Sequence, residues 1–464
     1  MIRRFAGAAA LAALLITTFR SPALAQTSPA ILVVGGTPAG VAAAVTAARA
    51  GADVTLVARR RDLGGILTDG MMDQWDLNVA PDGGAIEGGI FAQIHAALGD
   101  AFTPQAAAEA FAALVAAEPR IHVVTGARIT DVATESAAGG RAVRSVRFRS
   151  TSGTTFAVAA QYVVDATDDG DVAALAGARF DLGRQDTGID ERTQAVTLMF
   201  SLRGVAWSSV ANGYDAASYG AGGATPRRAW GYAKLLAGYR PLSPQVLVRD
   251  LNVGHEPSGD VTVNAIDVLG VDGLSERDLA RARALSMRET PRLLAFLRDR
   301  LPGFEHASID RYADAVYVRE TRHFAGVERL TATDVWGGNI PDDTIGLSSY
   351  PLDLHPVTPT DRLAYAPSRH VYGIPFGTLV PRDLTNLILA SAAISATHVA
   401  AGSARVIPTT IEEGEAAGVA AALAQREGQS FLAVARDASE VAELRALLLH
   451  DGAILSYSRH AGRT

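Results

Sequence analysis

A strand, a glycine-rich turn and a helix near the start of the chain limit the possible folds more than any other segment. Residues 30–34 form a short apolar run rich in β-branched residues, which is typical of a strand covered on both faces. The turn Gly35–Gly40 follows directly, then an alanine-rich helix to about Ala50 and a second strand from Asp53 to Val57. This order predicts a βαβ unit and an α/β fold with a doubly wound parallel sheet.

The glycine-rich turn has the residues expected of a dinucleotide site. Gly35 permits a tight turn, Gly40 lets helix and strand approach closely, and the backbone N–H groups at the helix start can hold a pyrophosphate. A plain glycine-rich turn between strand and helix is the alternative. The predicted contacts are Gly35, Gly36, Thr37, Pro38, Ala39 and Gly40.

Two residues depart from the usual dinucleotide pattern. Thr37 stands where a second glycine would allow the closest approach to the phosphates, so its side chain must point away or donate its hydroxyl. Ala58 ends the second strand at the position where an acidic residue normally binds the adenosine ribose. Because Arg59–Arg61 follow without that acid, a 2′-phosphate pocket is the alternative, with NADP as its ligand.

The first 25 residues have the three parts of an export signal. Arg3 and Arg4 precede a mostly apolar run at residues 5–19, and Ala23–Ala25 supply the small residues of a cleavage site near Ala25. That run is shorter than the roughly 20 residues that span a bilayer, so we expect a cleaved signal rather than a retained anchor. The sequence therefore predicts a periplasmic or secreted protein with no stable membrane insertion, and leaves Sec and twin-arginine export both open.

The composition excludes several kinds of chemistry. The chain has no cysteine, which excludes disulfides, thiolate catalysis, cysteine-bound zinc and iron–sulfur clusters. The net charge of -7 argues against a nucleic-acid-binding protein, which normally has a basic excess on one face. Metal-binding spacings such as His-x-His, His-Glu-x-x-His and the EF-hand loop are absent from the sequence, so we predict no metal site.

Further motifs far from the glycine turn are shared with a known family. At these motifs the chain resembles the bacterial FAD-dependent oxidoreductases, whose FAD-binding domain is Rossmann-like and of the glutathione-reductase type. The resemblance extends from about Ala30 to about Leu455 and implies FAD as the cofactor. The shared motifs are Leu63–Gly70, Tyr162–Asp171, Asn386–Ser391, Ile394–Ala400 and Gly402–Thr409, with shorter matches at Arg319–Arg322, Pro341–Ile345, Pro351–His355 and Tyr372–Phe376.

The resemblance implies further contacts to FAD. Asp165–Thr167 follow a strand at the carboxyl edge of the sheet, where doubly wound folds bind ligands, although a simple strand-to-turn boundary is the alternative. A helix from about Glu413 would direct its positive N-terminus at the pyrimidine end of the flavin. The residues assigned to FAD besides the glycine turn are Arg59, Gly64, Gly65, Arg128, Ala166, Thr167, Ile394, Ser395 and Val406.

Three residues are candidates for catalysis. His398 lies between the last strand and the flavin segment, so we expect a base or an orienting group there, because histidine titrates near neutral pH. His355 is a second candidate, in the substrate lobe. Arg405 precedes the C-terminal helix and would support the charge of the reduced flavin or bind an anionic substrate. The alternatives are structural: hydrogen-bonded histidines, and a surface salt bridge for Arg405.

Arg319 and Arg322 are three residues apart and would share one face of a helix, where they could clamp a carboxylate. Pairing with Glu320 and nearby aspartates to hold the two lobes together is the alternative interpretation.

The chain is predicted to contain one interrupted FAD-binding domain. The inserted segment mixes strand-like, loop-like and helical stretches, so we expect an α+β substrate or lid domain. Thr103 is predicted to cap a helix over Pro104–Glu118, followed by a strand over Val123–Val132. The predicted segments are a signal peptide at 1–25, FAD-binding parts at 26–181 and 366–430, the insertion at 182–365, and a helical closing segment at 431–464.

The predicted reaction is the oxidation of a small alcohol, amine or sugar-like compound. A substrate C–H bond gives hydride to flavin N5 while a base, His398 first, removes the heteroatom proton, and the electrons pass to oxygen or a respiratory acceptor. Two other functions stay open: an NADP-dependent reductase, and a flavin-carrying accessory protein without turnover.

Overall fold

The computed structural model describes residues 29–361, 364–366 and 370–457. The predicted signal peptide and its cleavage site near Ala25 lie outside these residues. Among the described residues, no helix is both long enough and apolar enough to cross a membrane.

A five-stranded parallel sheet forms the centre of the molecule. Every neighbouring pair is parallel, and Ile31 of the first strand lies opposite both Val54 and Tyr162. The predicted α/β fold with a doubly wound sheet is confirmed, and its edge strand comes from the C-terminal part of the chain. In spatial order the strands are Leu387–Leu389, Tyr162–Asp165, Ile31–Val34, Val54–Val57 and Ile121–Val124.

Two helices that pack on this sheet cross each other unusually closely. The first, Pro38–Arg49, follows the glycine turn, and the second, Ile407–Glu427, comes from the C-terminal part of the chain. A Cβ atom at Gly414 would lie 2.2 Å from the Ala39 carbonyl oxygen, and one at Gly418 would lie 2.3 Å from the Ala43 carbonyl oxygen. Only glycine fits at these two positions of the second helix. The close crossing that they allow places the N-terminal part of this helix beside the glycine turn.

The predicted strand Val123–Val132 is wrong. The chain leaves the parallel sheet at Val124, turns at Gly126 with φ +69°, and starts a separate antiparallel sheet. That sheet contains Ala127–Ala137, Gly140–Ser150 and Thr155–Ala159. The helix before it, Pro104–Ala116, is close to its predicted bounds, and the Thr103 side chain accepts a hydrogen bond from Ala106 N.

A second, six-stranded sheet belongs to the inserted part of the chain. One face of this antiparallel sheet packs against the long helix Glu276–Arg300, and the two share a core of their own. The buried apolar residues of that core run from Val196 to Ala307, whereas Phe324 and Leu352 belong to the core of the parallel sheet. In spatial order its strands are Gly223–Ala224, Arg228–Gly231, Leu251–His255, Val261–Asn264, Phe200–Arg203 and Ser308–Tyr312.

The remaining elements are short connections and caps. The helices are Gly89–Leu98, Asp171–Leu175, Trp207–Asn212, Ala216–Tyr219, Ala233–Leu236, Ala332–Gly337, His398–Ala404, Phe431–Val434 and Ala438–His450, with 3₁₀ turns at Gly65–Leu67, Gln185–Thr187 and Phe376–Leu379. The strands are Phe180–Leu182, Val196–Thr197, Val246–Leu247, Asp267–Val268, Arg322–Phe324, Thr344–Ser348, Leu352–Leu354, Ala364–Ala366 and Tyr372–Pro375.

Candidate functional site

A cleft of about 780 Å³ lies between the carboxyl edge of the parallel sheet and the inserted lobe. Its size is typical of cofactor and small-molecule sites. Four parallel strands end at the cleft wall or within two residues of it. This is the edge of the sheet at which doubly wound folds bind their ligands. The wall on this side includes Val34, Val57, Thr167 and Ala390, together with Arg128 from the antiparallel sheet; Glu276, Leu279 and Arg283 come from the inserted lobe.

The glycine turn is held rigidly against the end of the neighbouring strand. Gly35 has φ +124°, and a Cβ atom there would lie 2.2 Å from the Ala166 carbonyl oxygen. Thr37 donates its hydroxyl to the same Ala166 oxygen at 2.9 Å and accepts a hydrogen bond from Gly40 N at 3.0 Å. The Thr37 side chain is therefore committed to protein groups, which explains why a threonine fits where a second glycine is usual.

Donors at this turn face the cleft. Within the described part of the chain, the backbone N–H groups of Gly36 and Ala39 have no hydrogen-bond partner, so both can donate to a pyrophosphate. Gly40 itself lies behind the turn, where a Cβ atom would be 2.0 Å from the Gly35 carbonyl oxygen. Gly35, Gly36, Thr37, Pro38, Ala39 and Gly65 line the cleft, whereas Gly64 packs against Phe111.

The expected ribose end of the cleft has carboxylates despite Ala58. Arg59 lies 3.1 Å from Glu276 of the inserted lobe, and Arg60 lies 3.5 Å from Asp69. All four of these charged residues line the cleft. Because the carboxylates neutralise two of the three arginines, this end is a weaker site for a 2′-phosphate than the sequence indicates.

Asp165 organises the next part of the wall. Its carboxylate accepts hydrogen bonds from Thr167 Oγ1 at 2.7 Å and from Ala173 N at 2.8 Å, and burial raises its pKa to about 6. This fixes Ala166 behind the glycine turn and leaves Thr167 in the wall. Burial, reinforced by the charges of Asp169 and Asp171, raises the pKa of Asp168 to about 7.

The N-terminus of helix Ile407–Glu427 faces the other end of the cleft. The helix begins six residues before the predicted Glu413, and its N-cap, Val406, has no polar side chain to satisfy the first N–H groups. Ile407 and Thr410 line the cleft, so the positive end of a 21-residue helix is directed into it. Ser395 is 1 % exposed and lies behind the wall with Ile394, while Ser391, Ala392 and Ala393 form its surface.

Arg405 is the one catalytic candidate of the three that lines the cleft. Its guanidinium donates to Tyr317 Oη at 2.7 Å and to the Asp353 carboxylate at 3.2 Å. The side chain is buried and its Nε has no hydrogen-bond partner in the described chain, so this donor is available to a ligand. The surface salt bridge considered from the sequence is therefore excluded.

His398 adjoins the cleft through Glu320. His398 Nδ1 donates to Glu320 Oε1 at 2.6 Å, and His323 Nε2 donates to the same oxygen at 2.8 Å. Gln194 N donates to the second Glu320 oxygen at 3.0 Å. Burial alone would raise the pKa of Glu320, but the two histidine hydrogen bonds outweigh it and hold that pKa at about 2. Glu320 lines the cleft as an anion at neutral pH, and His398, which does not line the cleft, contacts it from behind.

His355 lies away from the cleft wall. Its Nδ1 is 3.2 Å from Asp267, and its Nε2 is 3.6 Å from Asp353. Burial and the nearby Arg319 lower the pKa of His355, but the two carboxylates raise it by more, so the net shift of the pKa is upward. Both ring nitrogens face carboxylates, so the structure favours the alternative role of His355 as a structural histidine.

The expected helix carrying Arg319 and Arg322 does not form. Residues 322–324 are a strand, and the two arginines bind different partners. Arg319 lies 3.4 Å from Asp267 of the inserted lobe, while Arg322 lies 2.9 Å from Asp171. Both guanidinium groups line the cleft, and each joins neighbouring parts of the fold.

Sequence reasoning gave Glu320 only a pairing role and missed Tyr317. The one available signal was the position of Glu320 between two arginines inside a family motif. Among the described residues, no group of three or more His, Asp or Glu side chains is arranged to hold a metal ion.

Comparison with solved structures gives flavoproteins of low similarity. The p-nitrophenol 4-monooxygenase PnpA from Pseudomonas putida DLL-E4 is 12% identical, with 93% of this chain and 90% of that chain covered and a TM-score of 0.44. The flavin-dependent brominase Bmp2 is 10% identical, with 90% and 83% covered and a TM-score of 0.45. A geranylgeranyl bacteriochlorophyll reductase-like protein from Thermoplasma acidophilum is 13% identical, with 92% and 84% covered and a TM-score of 0.43.

No curated protein matches the sequence significantly. A family model described as FAD dependent oxidoreductase matches residues 30–448, which include the glycine turn, Glu320, His398 and Arg405. The chain therefore belongs to the FAD-dependent oxidoreductase family and is a flavoenzyme with FAD as its cofactor.

Proposed function

We propose that this protein is an exported enzyme that oxidises a C–H bond beside a hydroxyl or amine of a small organic substrate. The observation that carries the proposal is the juxtaposition in one cleft of a dinucleotide turn, an uncapped helix N-terminus and the Glu320 carboxylate, which accepts a hydrogen bond from His398 behind it. The donors fit FAD: Gly36 and Ala39 would hold its pyrophosphate, and Ile407 and Thr410 would lie near its flavin. When bound, FAD supplies the hydride acceptor.

The helix N-terminus directs positive charge at one end of the cleft, and Arg405, which is paired with Asp353, lies at the same end. The Tyr317 hydroxyl and the Asp353 carboxylate fix the guanidinium, so it needs no reorganisation when negative charge develops beside it. Arg405 Nε is the donor left for that charge. This arrangement favours a reaction in which electrons arrive at that end of the cleft.

His398 is the group proposed to take the proton from the substrate heteroatom. Its Nδ1–H is held by the ionised Glu320, so Nε2 is the nitrogen able to accept a proton, and Nε2 has no hydrogen-bond partner within the described residues. The Glu320 carboxylate stabilises the imidazolium that results. Glu320 is thus a positioning residue for the histidine.

An NADP-dependent reductase is the second candidate function, favoured by Ala58 and the adjacent Arg59–Arg61. Thermal-shift titration of the ligand-free protein distinguishes the NADP-dependent reductase from the FAD-dependent enzyme. We expect FAD to raise the melting temperature with high affinity and NADPH to leave it unchanged. Stabilisation by NADPH without any response to FAD would refute the proposal in favour of the reductase. A protein that holds FAD which no alcohol, amine or sugar reduces would instead be a flavin-carrying accessory protein.

Export is proposed from the sequence of residues 1–25. Expression of the full chain in a Gram-negative host tests it: the protein recovered from the periplasm or medium should begin at Gln26. A protein retained in the cytoplasm with Arg3 and Arg4 still present would contradict export. The final electron acceptor is proposed to be oxygen or a respiratory carrier.

A further inference from the structure

The end of the second parallel strand lacks the carboxylate that dinucleotide sites usually have there. Ala58 directly follows the strand Val54–Val57, at the position where an acidic residue normally accepts hydrogen bonds from the adenosine ribose. The Ala58 carbonyl oxygen accepts a hydrogen bond from Ala127 N at 3.0 Å, and both residues line the cleft. An alanine side chain accepts no hydrogen bond, so the ribose hydroxyl groups of FAD lack their usual acceptor at this end of the cleft.

One face of the long helix Glu276–Arg300 forms part of the wall that the inserted lobe contributes to the cleft. Its cleft-lining residues stand at positions i, i+3, i+4 and i+7, a spacing that places them on one side of a helix. They are Glu276, Leu279, Ala280 and Arg283. Leu279 also packs against the core of the inserted lobe, so the first turn of the helix is held in place. The acidic first residue of this helix therefore has a defined position in the cleft.

Arg59 joins the Glu276 carboxylate to the end of the strand. Arg59 is the residue after Ala58, and its Nη2 donates to Glu276 Oε1 at 3.1 Å. Glu276 Oε2 has no hydrogen-bond partner in the part of the chain that the structure describes, and a carboxylate oxygen can accept two hydrogen bonds. The two side chains are 66% and 75% exposed, and so open an ion pair contributes little stability by itself. The carboxylate is thus fixed by one partner and free to accept hydrogen bonds from a ligand.

The other carboxyl groups near this end of the cleft are less suited to the ribose. Asp69 is paired with Arg60 at 3.5 Å, and burial raises the pKa of its carboxyl group. Asp168 follows a strand that lies two places away in the sheet from the strand before Ala58. Asp62 lines the cleft on the exposed loop after Ala58, but no hydrogen bond within the described residues fixes its carboxylate. Asp62 is therefore the main rival, and it is tested below.

We propose that Glu276, held by Arg59, binds the adenosine ribose hydroxyl groups of FAD in place of the acid that is absent at Ala58. The inserted lobe is then part of the cofactor site as well as its cover. The Glu276 carboxylate also repels a 2′-phosphate, so the same residue selects FAD over NADP despite the three arginines at 59–61. This inference depends on FAD as the cofactor, and not on the proposed oxidation or its substrate.

Titration of the FAD-free protein with FAD, followed by flavin fluorescence, tests the proposal. The variant Glu276→Ala is expected to weaken FAD binding by about tenfold or more, as the loss of hydrogen bonds to a charged group predicts. The Glu276 side chain is 75% exposed, so this variant should fold normally. Asp278→Asn is the matched control, because Asp278 is an acidic residue of the same helical turn that does not line the cleft. Its dissociation constant for FAD should equal that of the wild type.

Displacement of FAD by ADP and by 2′-deoxyADP identifies the hydroxyl contact. The wild type should bind ADP about tenfold more tightly than 2′-deoxyADP, and Glu276→Ala should bind the two equally. An unchanged FAD dissociation constant in Glu276→Ala, or an equal loss in Asp278→Asn, would overturn the inference. Weaker FAD binding in Asp62→Asn but not in Glu276→Ala would overturn it in favour of Asp62. A protein that shows the expected pattern yet oxidises no substrate contradicts the proposed function alone.

Discussion

Protein carrying Gly35→Val is expected to be purified with less than about a tenth of the FAD found in the wild type, since a loss above 1.4 kcal/mol in binding is more than tenfold. The valine Cβ would be placed 2.2 Å from the Ala166 carbonyl oxygen, and φ at this position is +124°. The turn must then move away from the strand end, which carries Gly36 and Ala39 out of position for the pyrophosphate. FAD content is measured from the absorbance of the released flavin per mole of protein.

Gly51→Val is the matched control for this experiment. Gly51 has φ +97° and follows the C-terminus of helix Pro38–Arg49. A Cβ atom there meets nothing within 4 Å, and the residue is outside the cleft wall. The control variant suffers the same kind of backbone strain without disturbing the turn, so it should keep its FAD at a lower melting temperature. Equal FAD content in Gly35→Val and wild type would show that FAD binds elsewhere.

The variant Glu320→Gln is expected to slow substrate-dependent flavin reduction by roughly 10² to 10⁴, the usual contribution of a positioned acid–base group. The neutral amide no longer stabilises a charged His398, although its size and its contact to Gln194 N are kept. His398→Ala should match this loss, and the double variant should be no slower than either single variant, because both act in one unit. Additive losses in the double variant would refute the pairing.

The same substitution predicts a change in stability with pH. In the folded chain, hydrogen bonds from the two histidines lower the pKa of Glu320 from its ordinary 4.5 to about 2. Its folded pKa is lowered, so its contribution is fully present above pH 4.5 and is lost as pH falls through about 2. A shift of this size corresponds to about 3 kcal/mol. The difference in free energy of unfolding between wild type and Glu320→Gln should therefore shrink between these pH values.

Denaturant unfolding across that pH window measures this difference. Glu443→Gln is the control, since Glu443 is an exposed carboxylate whose partner, Arg426, is also on the surface. Its difference from wild type should stay small and nearly constant. A wild-type advantage over Glu320→Gln that is independent of pH would contradict an ionised Glu320 held by two histidines.

Local pattern was enough to predict the parallel sheet and the helix after the glycine turn. The β-branched run at 31–34 and the glycines at 35 and 40 act within a few residues of each other, so no distant contact is needed. Element ends were less predictable. The C-terminal helix starts at Ile407 because Pro408 fits the first helical turn, and a single glycine, Gly126, divides what looked like one strand.

The candidate site depends on contacts between distant residues. His355 looked like a catalytic histidine in sequence, but the fold brings Asp267 of the inserted lobe against its Nδ1. Glu320 acquires its importance only when His398, 78 residues away, is folded onto it. Such partners cannot be read from spacing, because the chain between them forms other elements.

The most direct test of the account is anaerobic titration of the FAD-loaded protein with a panel of small alcohols, amines and sugars, followed spectrophotometrically. The account predicts that the absorbance of oxidised flavin disappears in proportion to added substrate and returns when oxygen or a quinone is admitted, with a much slower loss in Glu320→Gln. A flavin that stays oxidised with every alcohol, amine and sugar tested, yet is reduced by NADPH, would contradict it.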